Sequence, residues 1–272
     1  MKILIAYFSA TNNTFKMAKY MNDILLNQKY QVFMLDLSKK ENRVKIDLTI
    51  YDAVIMGFPV YSVRAPRICR EWIKLLDGKN KKCSVFFTYG GFAKDPAHYY
   101  IQKLLKKQNF IVVSTAEFLA AHTFNKSGWK ALSQRPSNKD YKKAEEYLDK
   151  TIKRFLGIDK EILKEFQKPI YSEEQLDQAE KFRFSIITEL PNRGNNKCSM
   201  CGLCEKKCPT NAMDFKKGFP NRDKCIACFK CIEVCPDNIL VTNDISNTWQ
   251  KKLEMHKITC EDLDKFESKI YL

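Results

Sequence analysis

Two stretches of this chain repeat one cysteine pattern: CSMCGLCEKKCPT at residues 198–210 and CIACFKCIEVCPD at residues 225–237. In each stretch, three cysteines are separated by two residues, a fourth follows after three residues, and a proline comes next. Eight of the eleven cysteines of the 272-residue chain lie here. Because proline fixes φ and removes a backbone donor, each stretch ends where the chain is redirected.

The spacing predicts two [4Fe–4S] clusters. In the bacterial pattern, three cysteines of one run hold one cluster and the fourth ligates the other cluster. This pattern gives the first cluster Cys198, Cys201, Cys204 and Cys235, and the second cluster Cys225, Cys228, Cys231 and Cys208. Structural zinc is a weaker interpretation because it uses two separated cysteine pairs. A disulfide framework needs an oxidising compartment, and nothing here indicates secretion. Residues 191–240 resemble the bacterial two-cluster ferredoxins, small α+β domains.

Upstream, apolar runs typical of strands alternate with amphipathic stretches typical of helices. The predicted strands are 2–8, 30–35, 53–56, 83–88 and 110–119. The predicted helices are 14–26, 68–76, 97–107 and 139–155. Such alternation predicts an α/β fold with a doubly wound, five-stranded parallel sheet.

Three loops follow predicted strands at the edge where such sheets bind ligands. The first, Ser9-Ala10-Thr11-Asn12-Asn13-Thr14, opens a helix, so its hydroxyls and backbone N–H groups suit a phosphate. An ordinary helix N-cap is the alternative, since Thr and Asn are favoured there. The second loop is 57–61 and the third is 88–92. No G-x-G-x-x-G follows any strand, so a dinucleotide fingerprint is absent.

These loops, in this order, make residues 1–157 resemble the flavodoxin family. The family's phosphate loop, Ser/Thr-x-Thr-x-x-Thr, is matched by Ser9, Thr11 and Thr14, while Asn13 replaces a glycine where positive φ is wanted. The resemblance implies FMN, with Tyr61 and Tyr89 against the flavin ring and Phe58 and Phe92 as alternatives. The implied contact set is Ser9, Thr11, Asn12, Asn13, Thr14, Pro59, Val60, Tyr61, Thr88, Tyr89, Gly90, Gly91 and Phe92.

Composition divides the chain into four parts: 1–157, a linker at 158–190, the cysteine-rich part at 191–240 and a tail at 241–272. In the linker, helices are predicted over 159–166 and 172–184; it is either a plain connector or a strut between the two flanking parts. The tail is predicted to be helical and to pack back on a domain.

The net charge of +15 is concentrated in residues 1–157, which carry +15, against −3, +4 and −1 in the following parts. A basic surface steers acidic partners, which predicts docking with acidic ferredoxins or flavodoxins, or with a reductase. Nucleic-acid binding is the alternative, but no recognition motif is present and the lysines are scattered, so no nucleic-acid partner is expected. No apolar run of about 18 residues predicts a membrane span. The N-terminus does not resemble a signal peptide, and we expect a cytoplasmic protein.

The two redox modules predict an electron-transfer protein that relays single electrons between two clusters and FMN and links redox partners. The alternative is an FMN-dependent reductase of a small molecule, fed by the clusters. His98 and His122 near the flavin side, and Arg64, motivate it; Arg64 and Arg67 otherwise only start a helix. A third possibility is a basic binding module with structural clusters. Buried inert thiols are expected at Cys69, Cys83 and Cys260.

Overall fold

The computed structural model describes residues 1–92, 95–186, 188–195 and 197–272. In chain order its elements are β1 (Lys2–Tyr7), α1 (Asn13–Asn27), β2 (Gln31–Asp36), β3 (Ala53–Pro59), α2 (Arg67–Ile73), β4 (Lys82–Tyr89), α3 (Asp95–Lys107), β5 (Ile111–Leu119), α4 (Asn138–Phe155), α5 (Glu173–Ile186), α6 (Leu203–Lys206), β6 (Met213–Asp214), β7 (Phe219–Pro220), α7 (Lys230–Glu233), α8 (Ser246–His256), α9 (Cys260–Asp264) and β8 (Lys269–Tyr271). Short 3-10 helices lie at Lys40–Asn42 and Thr123–Ser127.

The main sheet has the strand order β2-β1-β3-β4-β5-β8. Strands β1 to β5 pair in parallel, which confirms the predicted doubly wound sheet. The tail adds an antiparallel edge strand, β8, whose Ile270 pairs with Ala116 of β5. This sixth strand was not predicted.

Helices cover both faces of the sheet. On one face, α1 and α4 bury residues at helical spacing, such as Met17 and Met21 of α1 and Tyr147 of α4. On the other face, α2 and α3 bury a second core around Trp72 and Ile101. The parallel strands are buried on both sides, as expected for such a sheet, and their carboxyl ends converge on one edge.

The linker is docked, and only its second predicted helix forms. The helix predicted over 159–166 is wrong, because the backbone there bonds to the sheet and α3 instead. Leu163 N–H donates to the Val112 carbonyl at 3.2 Å, and the Gln102 amide donates to the Lys164 carbonyl at 3.0 Å. The helix predicted over 172–184 is present as α5.

Ion pairs hold α5 against the segment between β3 and α2. The guanidinium of Arg64 lies 2.6 Å from the Asp177 carboxylate and 3.1 Å from Glu180, and Arg70 lies 2.6 Å from Glu180. Arg64 is only 1 % exposed, so removing its carboxylate partners would leave a buried cation, which is strongly destabilising.

The cysteine-rich part packs directly on the α/β part. Arg43 donates to the Pro209 carbonyl at 2.5 Å, and Arg67 donates to that of Asp223 at 3.2 Å. The buried side chains of Ile226 and Cys228 belong to the same hydrophobic core as α2 and α3. The two parts therefore share a continuous core at this contact.

The tail packs at the carboxyl ends of the parallel strands. Trp249 and Leu253 of α8 and Leu263 of α9 bury against Tyr89 and Trp129. The predicted helical tail that packs back on a domain is confirmed, with β8 as its final element. None of the helices in the described part of the chain is long and apolar enough to cross a membrane.

Candidate redox centre

The loop between β1 and α1 leaves a helix N-terminus open. The Ser9 hydroxyl accepts the N–H of Phe15 at 3.1 Å, which ties the loop to the first turn of α1. The Thr14 hydroxyl lies 2.7 Å from the Thr88 hydroxyl and so joins this loop to the end of β4. The residue before the helix, Asn12, forms no side-chain cap, and the first turn has no acidic residue. The N–H groups at the start of α1 therefore suit a phosphate.

The left-handed position of this loop is Asn12, with φ of 66°, one residue before the position predicted at Asn13. Asn13 instead begins α1, and its side-chain amide donates to the Ala121 carbonyl at 3.0 Å. That bond draws the loop after β5 against the first loop. Asparagine tolerates the left-handed region, so the loop closes without glycine.

The loop after β3 turns through two strained positions. Ser62 and Val63 have φ of 46° and 59°. Such values are uncommon for any residue but glycine and are most unusual for the β-branched Val63. Tyr61 and Arg64 hold the turn by reciprocal backbone bonds of 2.8 and 3.1 Å. Strained backbone persists where the surroundings enforce it, and it is often found at functional sites.

The loop after β4 is packed against His122. A Cβ on Gly90 would lie 2.3 Å from the imidazole, so only glycine fits there. The centre of the Phe92 ring lies 6.3 Å from the ring centre of Trp129 and 6.0 Å from that of Trp249. This loop therefore joins the sheet to the tail.

The three loops enclose a cavity of about 270 Å³. Every predicted FMN-contact residue lines it except Asn12 and Gly91. Residues that the sequence did not indicate also line it: Ala10, Ser62, Val63, Ala120, Ala121, Thr123, Phe124, Trp129, Ile226, Ala227 and Lys252. Residues 120–124 follow β5 and so obey the same strand-end rule as the other loops. Nothing in the sequence indicated Ile226, Ala227 or Lys252.

Of the two histidines, only His122 lines the cavity. Its Nδ1 accepts the Phe124 N–H at 3.0 Å, and burial, together with the Lys252 ammonium, lowers its pKa to about 4. The imidazole is therefore neutral near pH 7. His98 lies elsewhere, buried, with Nε2 3.1 Å from the carboxylate of the fully buried Glu117. Its predicted position near the flavin side is wrong.

Other sequence candidates also lie away from the cavity. Phe58 is buried in the core and packs on Phe87. Arg64 is taken up by α5, and Arg67 begins α2. Burial raises the pKa of the Cys69 and Cys83 thiols above their usual range, which confirms inert thiols. Cys260 is exposed, so the prediction that it is buried is wrong.

The first predicted cysteine group is together in space. Cys198, Cys201, Cys204 and Cys235 line one small recess. Burial raises the pKa of the Cys204 thiol, with Cys201 and Cys235 adding to the effect. The Cys198 sulfur accepts the Met200 N–H at 3.3 Å, and such bonds tune cluster potentials. Cys201 is exposed, so this group lies at the surface.

The second group is also together, but it lies deeper. Burial and then the neighbouring Cys228, Cys225 and Cys208 raise the pKa of the Cys231 thiol above its usual range. The Cys208 sulfur accepts the Ala212 N–H at 3.3 Å. Ile226 and Ala227, between the first two cysteines of this group, are the residues that line the cavity. In the described part of the chain, no three His, Cys, Asp or Glu side chains form a site for a single metal ion.

Five exposed lysines lie close in sequence to the first cysteine run. This lysine set consists of Lys197, Lys206, Lys207, Lys216 and Lys217, of which Lys217 lies 3.7 Å from the Asp214 carboxylate. The nearby carboxylates are engaged with backbone N–H groups: Glu205 accepts from Phe215 at 3.0 Å, and Asp237 accepts from Ser199 at 2.8 Å. The side chains of Met200 and Phe219, in the same part of the chain, are also exposed.

Two family models match the chain. A flavodoxin domain model matches residues 4–117, and a 4Fe-4S dicluster domain model matches residues 190–236. No curated protein matches the chain.

Several solved structures are similar to part of this chain. A flavodoxin from the domain Archaea is 16 % identical, covers 57 % of this chain and 99 % of its own, and gives a TM-score of 0.44. Flavodoxin 2 from Bacillus cereus is 17 % identical, with the same coverages and a TM-score of 0.46. Rubredoxin oxygen:oxidoreductase from Desulfovibrio gigas is 16 % identical over 57 % of this chain and 36 % of its own, with a TM-score of 0.43.

Proposed function

Because this chain joins an N-terminal flavodoxin domain to a C-terminal 4Fe-4S dicluster domain, we propose that it relays single electrons between two [4Fe–4S] clusters and one FMN. The domains imply FMN, iron–sulfur clusters and a redox role. The observation that supports a relay within the chain is the position of Ile226 and Ala227. They lie between two cysteines of the second group and also line the flavin cavity.

The residues fit both kinds of cofactor. Cys198, Cys201, Cys204 and Cys235 would hold the first cluster, and Cys225, Cys228, Cys231 and Cys208 would hold the second. The open N-terminus of α1 and the hydroxyls of Ser9, Thr11 and Thr14 would hold the FMN phosphate. Tyr61 and Tyr89 line the cavity as partners for the ring. When bound, FMN accepts one or two electrons, whereas each cluster carries one.

The positions of the two cysteine groups suggest the order in which electrons would move. The second cysteine group lies beside the flavin cavity, and the first lies at the surface, where Cys201 is exposed. Electrons from a partner would enter at the first cluster, pass to the second and reach the flavin. The docking between the two domains, through Arg43, Ile226 and Phe229, keeps this order fixed.

Acidic redox proteins are the partners that suit the exposed lysine set. Its ammonium groups attract an acidic partner, and the exposed side chains of Met200 and Phe219 add apolar surface in the same part of the chain. All eleven cysteines are free thiols, which suits a reducing compartment and so supports a cytoplasmic location.

A small-molecule reductase has less support. The residues suggested for it from the sequence, His98 and Arg64, are engaged in buried contacts away from the cavity. His122 does line the cavity, but its Nδ1 is engaged with the Phe124 N–H. Reduction of an organic substrate by the purified protein without a partner would favour this alternative.

An anaerobic reductive titration followed by visible absorbance tests the relay. We expect about four electrons per chain, one for each cluster and two for FMN. A count near two, with no flavin absorbance after incubation with FMN, would contradict the proposal.

A further inference from the structure

The charged side chain in the lining of the flavin cavity belongs to the C-terminal tail. Among the described residues that line it, Lys252 of α8 is the only lysine, arginine, aspartate or glutamate. Lys252 lies outside both matched domains, which end at residues 117 and 236. The tail thus contributes a charged side chain that the matched flavodoxin domain does not supply at this site.

The helix that carries Lys252 is firmly docked. Trp249 and Leu253 are buried against Tyr89 and Trp129. The Trp129 indole donates to the Thr248 hydroxyl at 2.8 Å, and the Ile245 N–H donates to the Ser127 carbonyl at 2.8 Å. Since these contacts flank position 252 on the same helix, the lysine is held at the cavity.

The Lys252 ammonium is half-buried and has no carboxylate partner in the described part of the chain. It lies 5.2 Å from the centre of the Phe92 ring, an arrangement that stabilises a cation. Burial lowers its pKa, and the neighbouring His122 is neutral near pH 7. The positive charge of the cavity wall therefore comes from one ammonium group. The adjacent Lys251 is exposed and does not line the cavity.

A cation in such a site distinguishes the redox states of a flavin. Uptake of two electrons and one proton leaves the ring one charge more negative than before. Charges attract more strongly in a partly buried site than in water, so the ammonium binds the reduced ring better than the oxidised ring. Affinity that differs between two states shifts the equilibrium between them.

We propose that Lys252 makes the C-terminal tail part of the flavin site and raises the flavin midpoint potential by preferential binding of the reduced ring. This inference rests on the proposed function, because it requires FMN in the cavity. A raised flavin potential favours electron transfer from the second cluster to the flavin over transfer in the reverse direction.

The test compares Lys252→Met with Lys251→Met in the FMN-loaded protein. Methionine keeps an aliphatic chain over Phe92 but removes the charge. We expect Lys252→Met to weaken binding of reduced FMN about tenfold relative to oxidised FMN. By the thermodynamic cycle this lowers the two-electron midpoint potential by about 30 mV. Lys251→Met should leave the potential unchanged, and Lys252→Arg should restore most of it.

Spectroelectrochemical titration and dissociation constants in both redox states give the readout, and near-ultraviolet circular dichroism checks that α8 stays docked. An unchanged potential in Lys252→Met, or an equal loss of affinity for both redox states, would overturn the inference. Failure of every variant and of the wild type to bind FMN would instead overturn the proposed function.

Discussion

The two cysteine runs have the same spacing and nearly the same backbone, yet their surroundings differ. Met200 and Ala227 occupy the same position in each run and have left-handed φ of 57° and 50°. Met200 is 47 % exposed, whereas Ala227 is 6 % exposed and lines the cavity. At this position one run is therefore exposed to solvent, while the other is buried at the cavity.

A second matched pair shows how the run at residues 225–237, the inner run, is held. Gly202 and Phe229 precede the short helices α6 and α7, with φ of 70° and 55°. Glycine adopts this conformation freely, but a phenylalanine there is a genuine outlier. Phe229 is almost fully buried, and its ring centre lies 5.9 Å from that of Phe124. Burial of the aromatic ring offsets the backbone strain, and the inner run is thereby fixed to the flavodoxin domain.

The largest expected effect concerns the fourth cysteine of each run. If the clusters are shared between runs, Cys208→Ala and Cys235→Ala should each remove one cluster and lower iron from about eight to about four atoms per chain. The cluster left in Cys208→Ala should be the exposed one and should lose iron to a chelator faster than the one left in Cys235→Ala. Iron analysis and anaerobic chelation kinetics measure both. Equal chelation rates in the two folded variants would contradict the assignment.

Next in size is the effect of a charge placed at the matched position of each run. Ala227→Asp puts a carboxylate into the cavity wall, where burial of a charge is costly, so the Kd for FMN should rise about a hundredfold. Met200→Asp adds the same group at an exposed position and should leave the Kd within about twofold. Quenching of flavin fluorescence measures both. Similar Kd values for the two variants would mean that the inner run does not border the flavin.

Phe229→Gly sharpens the comparison through stability. Loss of a buried phenylalanine costs about 3–5 kcal/mol, and relief of the left-handed strain returns about 1–2 kcal/mol, so the net loss should be about 2 kcal/mol. Gly202→Ala, which adds strain without burial, should cost about 1 kcal/mol. Anaerobic urea unfolding of the loaded protein gives both values. A more stable Phe229→Gly variant would show that the ring does not hold the inner run.

The smallest expected effect is on partner association. Lys206→Glu together with Lys207→Glu, two exposed lysines beside the first cysteine run, should reduce the association rate with an acidic two-cluster ferredoxin about tenfold at low salt. The control is Lys139→Glu with Lys142→Glu, an exposed pair on α4. Stopped-flow reduction at several salt concentrations provides the rates. Equal slowing by both pairs would indicate an effect of net charge rather than docking beside the first cysteine run.

The sequence predicted what depends on local pattern. The cysteine spacing predicted two groups of four thiols, and the assignment of each group to a cluster stays a prediction. The hydroxyl-rich or glycine-containing loops after β1, β3 and β4 line the cavity. Strand-to-helix alternation predicted β1 to β5 because buried parallel strands are continuous apolar runs.

What the sequence did not predict depends on contacts between distant segments. Three residues of β8 carry no periodic signal, and they form a strand because the edge of β5 is available. The helix predicted over 159–166 gives way to backbone bonds with Val112 and Gln102. Lys252 lies in a tail with no recognisable motif, and only the docking of Trp249 brings it to the cavity.

The most direct test of the relay is the rate of flavin reduction in Cys208→Ala, loaded with FMN and reduced by an acidic two-cluster ferredoxin. The first cluster remains in this variant, and dithionite serves as a control that its flavin is bound and reducible. We predict that the first cluster is reduced at the wild-type rate while the flavin stays oxidised over many wild-type turnover times. Flavin reduction at the wild-type rate would show that electrons reach FMN without the second cluster and would contradict the account.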